Sequence, residues 1–284
     1  MVRAGIHGDG DLQARGHCRD VANVVNAKRS FKGRCVTSLF SAQKLAKRFG
    51  DRLVLQDVSF DVGEGQVHGI MGPNGAGKTT CFNVLTGRYR PDGGSVILRG
   101  KDITGGSPRA IARHGIARSF QLMNLFNDFT ALENVAVATR SLRAHGFGFW
   151  RDAMSAGDAY ERAAAILRRV GLQDKVSLRA GSLSYGDRRA LEIAVALAGE
   201  PVLLFLDEPT AGLGVEGIAR VADLVSELKR HLTMVIIEHD MRFLFRLADH
   251  ISVVHWGQVI ARGTPDALRE NAWVQRSNLG QLTC

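Results

Sequence analysis

Residues 72–80 read Gly72-Pro73-Asn74-Gly75-Ala76-Gly77-Lys78-Thr79-Thr80. The run fits the phosphate-cradling pattern G-x-x-x-x-G-K-S/T from Gly72 to Thr79. Its glycines let successive backbone N–H groups turn toward an anion, and a helix that starts behind them adds positive partial charge. Lys78 is placed to reach the β- and γ-phosphates of a nucleotide, and the Thr79 hydroxyl to ligate Mg²⁺. The apolar run Val67–Met71 lies just before the motif, and a helical pattern over 79–85 comes after it. That strand-loop-helix setting is what the motif requires. The bland alternative is a Gly-rich turn that binds nothing, and it leaves Lys78-Thr79 at the right offset unexplained.

Two further apolar runs end in polar clusters. The run 203–206 leads into Asp207-Glu208, and 234–237 leads into Glu238-His239-Asp240. Both read as parallel strands buried on two faces. Asp207 would hold Mg²⁺ through its water shell, and Glu208 is placed to polarise an attacking water. His239 sits at a strand's carboxyl end, where open α/β sheets place ligand-contacting groups. Each could instead be a solvated acid or a surface histidine. The phosphate motif upstream tips the balance for the acids.

A second anion site is legible at Leu183-Ser184-Tyr185-Gly186-Asp187. Ser184 and Gly186 open a predicted helix over 188–197, with Leu191, Ala194, Val195 and Ala198 at helical spacing. Gly199 and Pro201 end it. A helix N-terminus with a hydroxyl and a bare glycine N–H suits an anion. The plain alternative is an ordinary capped helix.

The order of phosphate loop, Gln121, LSYGD, LLFLDEPTAGL and IIEHD resembles the ATP-binding subunit of ABC transporters, over about residues 42–280. LSYGD is similar to that family's signature, usually written LSGGQ. The stretches 115–135, 183–194 and 263–280 resemble the branched-chain amino acid importers, and the extended segment near 140–160 resembles the larger of their two ATPases. The resemblance implies an α/β fold: a P-loop NTPase core with a small antiparallel β subdomain and a helical subdomain at about 125–190. It implies ATP and Mg²⁺ as ligands, with Gln121 touching the metal and His239 the γ-phosphate. It also implies a head-to-tail dimer, with itself or a sister ATPase, in which Ser184 and Gly186 close on the nucleotide held by the other subunit's Lys78. Two transmembrane permease subunits would bind it at the cytoplasmic face of the inner membrane, served indirectly by a periplasmic solute-binding protein. No nucleic-acid partner is implied. Phe49 stands where the family stacks an aromatic on adenine; an edge-strand core Phe is the other reading.

The chain departs from the family pattern in places. Tyr185 and Asp187 replace a Gly and a Gln of the common signature, although LSYG is usual in the branched-chain subgroup. Ala190 and Val195 stand where that subgroup often has Arg, and Gly214 where Asp or Asn is common. The last change bears on coupling between subunits. Rival readings are a lipopolysaccharide-type exporter ATPase, a translation or DNA-repair ABC protein, and an inactive docking module.

The chain has 284 residues, 45% apolar, with net charge +9. No run approaches the roughly 18 apolar residues that span a bilayer. The four cysteines, Cys18, Cys35, Cys81 and Cys284, lack metal-type spacing, and Cys81 is expected in the core. Positive residues such as Arg118, Arg188 and Arg189 are scattered. They read as a basic surface, either solvated or beside an anionic leaflet. Residues 1–38 lack periodicity and are expected to be a disordered basic extension; the ATPase domain is expected over 39–280. Strands are expected at 45–49, 54–55, 58–62 and 95–99, with 115–120 leading to Gln121, and a helical spacing runs over 159–170. A hairpin is expected around Trp256-Gly257, followed by a helix capped by Thr264 with Pro265 at its first position. The aromatic stretch 144–150 could dock a membrane helix or fold onto its own subdomain.

Overall fold

The computed structural model describes residues 38–119, 125–139 and 153–276. Gln121, the stretch 144–150 and nearly all of residues 1–38 lie outside these.

The described residues open with a hairpin of two twelve-residue strands, β1 (Ser38–Phe49) and β2 (Arg52–Gly63). After β3 (Val67–Met71) and helix α1 (Lys78–Leu85), β4 (Gly93–Leu98) and β5 (Lys101–Asp102) complete an antiparallel sheet in the order β2-β1-β4-β5. The separate strands expected at 54–55 and 58–62 are one strand. Gln56 and Asp57 break the apolar alternation but not the pairing: the backbone passes through a left-handed residue at Asp57 and the register shifts around Leu45. Such bulges let a ladder continue past polar residues.

The second sheet runs β10-β9-β3-β8-β7-β6. Its strands are β6 (Ile116–Arg118), β7 (Leu203–Asp207), β8 (Thr233–Ile237), β9 (His250–His255) and β10 (Gln258–Gly263). All neighbours pair in parallel except the edge hairpin β9–β10. β3, β7 and β8 are buried at every position, as expected of central parallel strands covered on both faces. Alternation along β7 divides the core. Leu204 and Leu206 join the apolar cluster that holds Leu191 and Leu197. Leu203 and Phe205 face the other way, where Phe205 meets Phe40 and Phe82 edge to face. A strand gripped on both faces holds Asp207 and Glu208, at its carboxyl end, in fixed positions.

Helix α2 (Pro108–Arg113) is capped by Ser107. The helical part then contains α3 (Ala131–Ala136), α4 (Ala153–Arg169) and α5 (Tyr185–Leu197). α3 starts with a reciprocal capping box between Thr130 and Glu133. α5 begins three residues earlier than the spacing predicts, because the Ser184 hydroxyl caps it by accepting the Asp187 N–H. Like α2, the helices α6 (Val215–Leu228) and α7 (Met241–Leu247) have no counterpart in the sequence analysis. α6 connects β7 to its neighbour β8, and α7 carries the chain from β8 past β3 to β9. Thr264 caps α8 (Pro265–Arg269) with Pro265 at its start, as expected, and a further helix without a counterpart in the sequence analysis, α9 (Ala272–Arg276), comes last among the described residues. No helix among the described residues is long and apolar enough to cross a membrane.

Candidate functional site: a nucleotide cradle at the carboxyl ends of three adjacent strands

β3, β8 and β7 are neighbours, and Ile237 pairs with both Ile70 and Asp207. The phosphate loop, Glu238 and Glu208 therefore leave the sheet side by side at its carboxyl edge, where such sheets bind ligands. The loop is held from behind. A Cβ on Gly72 would lie 2.1 Å from the Val254 carbonyl oxygen, so only glycine fits there. Gly77, at φ 100°, caps α1 with no side chain, which leaves the first N–H groups of the helix facing the loop. The Gly257 N–H anchors the Ala76 carbonyl at 2.9 Å. Asn74, Gly75 and Thr79 are exposed, and Pro73 and Thr80 are half-buried.

Lys78 is buried and donates to the carbonyls of Gly72 at 2.7 Å and Pro73 at 3.0 Å. Burial lowers its pKa; the charges of Glu208, Asp207 and Glu238 pull the other way. The lysine thus sits within electrostatic reach of three acids from two strand ends. Asp207 is pushed up to about 6, first by burial and then by Glu208, against the opposing pull of Arg118 and Arg189. A carboxylate desolvated beside another acid is a poor resting place for negative charge unless a cation joins it. Among the described residues no three His, Cys, Asp or Glu side chains group as a metal site. A hydroxyl and one carboxylate, completed by phosphate oxygens and water, instead suit the hard cation Mg²⁺. Thr79 and Asp207 fit that role.

Glu208 adopts a left-handed backbone at φ 45°, which costs a side-chain-bearing residue about 1–3 kcal/mol and persists only where the surroundings impose it. They do. The Glu208 N–H donates to the Ile237 carbonyl at 2.8 Å. Nη2 of Arg189 donates to the carbonyls of Asp207 (2.8 Å) and Glu208 (2.7 Å), and its Nε to that of Pro209 (3.3 Å). Arg189 is 3% exposed, and Glu192, one turn on in α5, pairs with it at 2.6 Å. The sequence reading counted Arg189 among surface charges, and that was wrong. It lies four and eight residues before buried Ile193 and Leu197, so helical spacing already put it on the inner face. Arg118 is likewise not a free surface charge: its guanidinium covers the Phe82 ring and donates to Thr86 Oγ1 at 2.9 Å.

Glu238, fully buried, also went without a role in the sequence reading. It accepts from the Thr210 N–H at 2.9 Å, from the Thr210 hydroxyl, and from the His239 N–H at 3.0 Å. It ties the turn after β7 to the end of β8. The His239 ring is exposed, with Nδ1 3.6 Å from Glu238 Oε2.

Ser184 and Gly186 lie elsewhere, in a groove of about 1060 Å³ lined also by Lys175, Asp187, Gly214 and Arg220. None of residues 72–80 lines it. Gly214 is the N-cap of α6 and offers no side chain to it. Phe49 is not a core residue: it is 44% exposed at the end of β1, with its ring edge to face against Tyr89 and the Lys47 ammonium over it. Cys81 is buried as expected, and burial pushes its thiol up to about 12.

A strand-loop-helix phosphate cradle beside two acidic strand ends defines a P-loop nucleotide-binding protein. The ABC transporter family matches residues 55–211, and the chain belongs to that family as one of its ATPases. The chain is 40% identical over 252 residues to the high-affinity branched-chain amino acid transport ATP-binding protein LivG of Salmonella typhimurium, covering 86% of this chain and 98% of that protein. It is similar to the crystal structure of the ADP conformation of MJ1267, an ATP-binding cassette of an ABC transporter, at TM-score 0.70 and 32% identity, over 80% of this chain and 91% of that one. A dimeric post-hydrolysis structure of the cassette MJ0796, bound to ADP and Pi, aligns at TM-score 0.67 and 26% identity, over 80% and 98%.

Proposed function

We propose that this chain hydrolyses ATP to drive an importer of branched-chain or other hydrophobic amino acids. The observation that carries the site is its geometry: adjacent parallel strands bring buried Lys78 on the phosphate loop, Asp207 and Glu208 at the end of β7, and Glu238 after β8 to one edge of the sheet. The solute class rests on the likeness to LivG.

The loop N–H groups and Lys78 bind the phosphates and stabilise charge as it moves to the leaving oxygen. Thr79, Asp207 and Gln121 would hold Mg²⁺, which, when bound, neutralises charge on the terminal phosphates. Glu208 orients a water for attack and accepts its proton, while the Arg189 contacts fix its backbone. His239 contacts the γ-phosphate from the end of β8. Phe49, exposed at the end of β1, stacks on adenine. Such stacking is tolerant of base, so selectivity among nucleotides is weak.

Ser184 and Gly186 serve a second nucleotide, held by an opposing chain. Two observations support this: the groove they line excludes the chain's own phosphate loop, and a related cassette forms a dimer. Two permease subunits supply the path through the membrane, at whose cytoplasmic face the ATPase sits, and a periplasmic binding protein delivers the solute. The ATPase domain spans 39–280, with residues 1–38 as a dispensable extension.

Purification from membranes tests this reading. Permease subunits should co-purify, and in vesicles carrying the assembly, leucine with its binding protein should raise ATP turnover. Turnover indifferent to every hydrophobic amino acid would refute the solute assignment.

A further inference from the structure

Asp187 stands where the family's common signature has an uncharged Gln, and the hydrolysis proposed for this chain gives it no task. It is a buried acid in the first turn of α5. Its Oδ2 accepts the Ser184 hydroxyl at 2.5 Å and the Lys175 ammonium at 2.5 Å; Arg220, largely exposed, approaches Oδ1 at 3.9 Å. Burial pushes the Asp187 carboxyl up, but the hydrogen bonds from Lys175 and Ser184 outweigh it and hold the group below the usual range. A carboxylate there has two opposite effects. It favours the positive end of its own helix. It also repels any phosphate brought to Ser184 and the α5 N–H groups, because like charges a few ångströms apart in a partly desolvated groove are screened poorly.

Lys175 resolves that conflict. It comes from a separate element, the 3₁₀ turn Gln173–Lys175, and meets the carboxylate from across the groove. We propose that Lys175 is a positioning residue of the Ser184 motif: it cancels the charge of Asp187 and competes with Ser184 for the same carboxylate oxygen, so that the hydroxyl can turn its one proton from Asp187 to the γ-phosphate of an opposing chain, beside the N–H groups of the helix start. This rests on the reading that Ser184 faces a nucleotide held by the other subunit. In this chain an ion pair does what a neutral amide does in the common signature.

The test is a double-mutant cycle on ATP turnover, with ATP binding at the chain's own phosphate loop followed separately. Lys175→Met should lower kcat about tenfold while changing the ATP Kd less than about twofold, and Lys175→Arg should restore most of the loss. In the Asp187→Gln background, which removes the charge to be cancelled, Lys175→Met should cost less than about twofold. Lys175 is half-exposed, and a melting temperature close to that of the unmodified chain would rule out a folding effect. An unchanged kcat in Lys175→Met, or an equal loss in both backgrounds, overturns the proposal. Ser184→Arg separates this outcome from failure of the underlying reading. If Ser184→Arg turns over normally, Ser184 meets no nucleotide and both ideas fall; if it is inactive while Lys175→Met is normal, only the role of Lys175 falls.

Discussion

Nη2 of Arg189 lies 2.7 Å from the carbonyl oxygen of Glu208, the residue with the left-handed backbone at the end of β7. One guanidinium joins the helix that starts at Ser184 to the turn that carries the proposed catalytic acid. A shift of α5 would thus be felt at Glu208 through a rigid, buried donor.

Arg189→Met should lower both stability and turnover. Buried Glu192 would lose its guanidinium, and breaking a buried pair from one side costs about 3–5 kcal/mol. The double variant Arg189→Met/Glu192→Leu removes both charges, so denaturant midpoints should recover most of the loss. Turnover should not recover, because the Glu208 carbonyl stays unanchored. Recovery of both together would show that Arg189 serves only the fold.

Glu208→Gln keeps the shape and the backbone contacts but removes the base. ATP should still bind, and steady-state turnover should fall at least about 100-fold. Lys78→Ala should instead weaken nucleotide binding itself. Turnover near normal in Glu208→Gln would remove this residue from the chemistry.

His68 gives a pH signature away from the site. It is buried on β3, stacked on Phe60, with Nε2 3.0 Å from Ser252 Oγ. Burial, helped by Arg262 and His250, lowers its pKa from 6.5 to about 3. In the unfolded chain the imidazole takes a proton near its ordinary value. The unfolded state therefore binds the extra proton between these limits, and stability falls as pH drops through 6.5 toward 3. By about pH 5 this group alone should remove about 2 kcal/mol. Unfolding curves of a His68→Gln variant should show a flatter loss between about pH 6.5 and about 5. Parallel losses in the two proteins would mean that His68 is not the group responsible.

Much of this site could be read from the chain because its parts are local. Gly72 to Thr79 is one contiguous motif, and Asp207 and Glu208 directly end an apolar run. Ser184 marks its helix start by itself. The parts that could not be read depend on pairing across the fold. Arg189 finds the carbonyls of Asp207 and Glu208 only because α5 packs beside β7, and Glu238 finds Thr210 only because β8 lies next to β7. The strand break placed at Gln56-Asp57 failed for a similar reason: pairing with β1 carries the ladder through a bulge that local propensity reads as an end. The alternation of Leu204 and Leu206 with Phe205, invisible as amphipathicity, was hidden because both faces of β7 are covered.

The composite site is tested most directly by mixing two inactive chains, Ser184→Arg and Lys78→Ala, at a concentration where the unmodified chain turns over ATP. In a head-to-tail dimer of the two, one site receives intact Lys78 from the first chain and intact Ser184 from the second; the other site carries both lesions. Random pairing should restore about a quarter of the normal sites, and ATP turnover should rise toward that level from the near-zero rate of either chain alone. If Ser184 and Lys78 act within one chain, neither chain has a complete site, and a mixture that stays as inactive as its components would contradict the account.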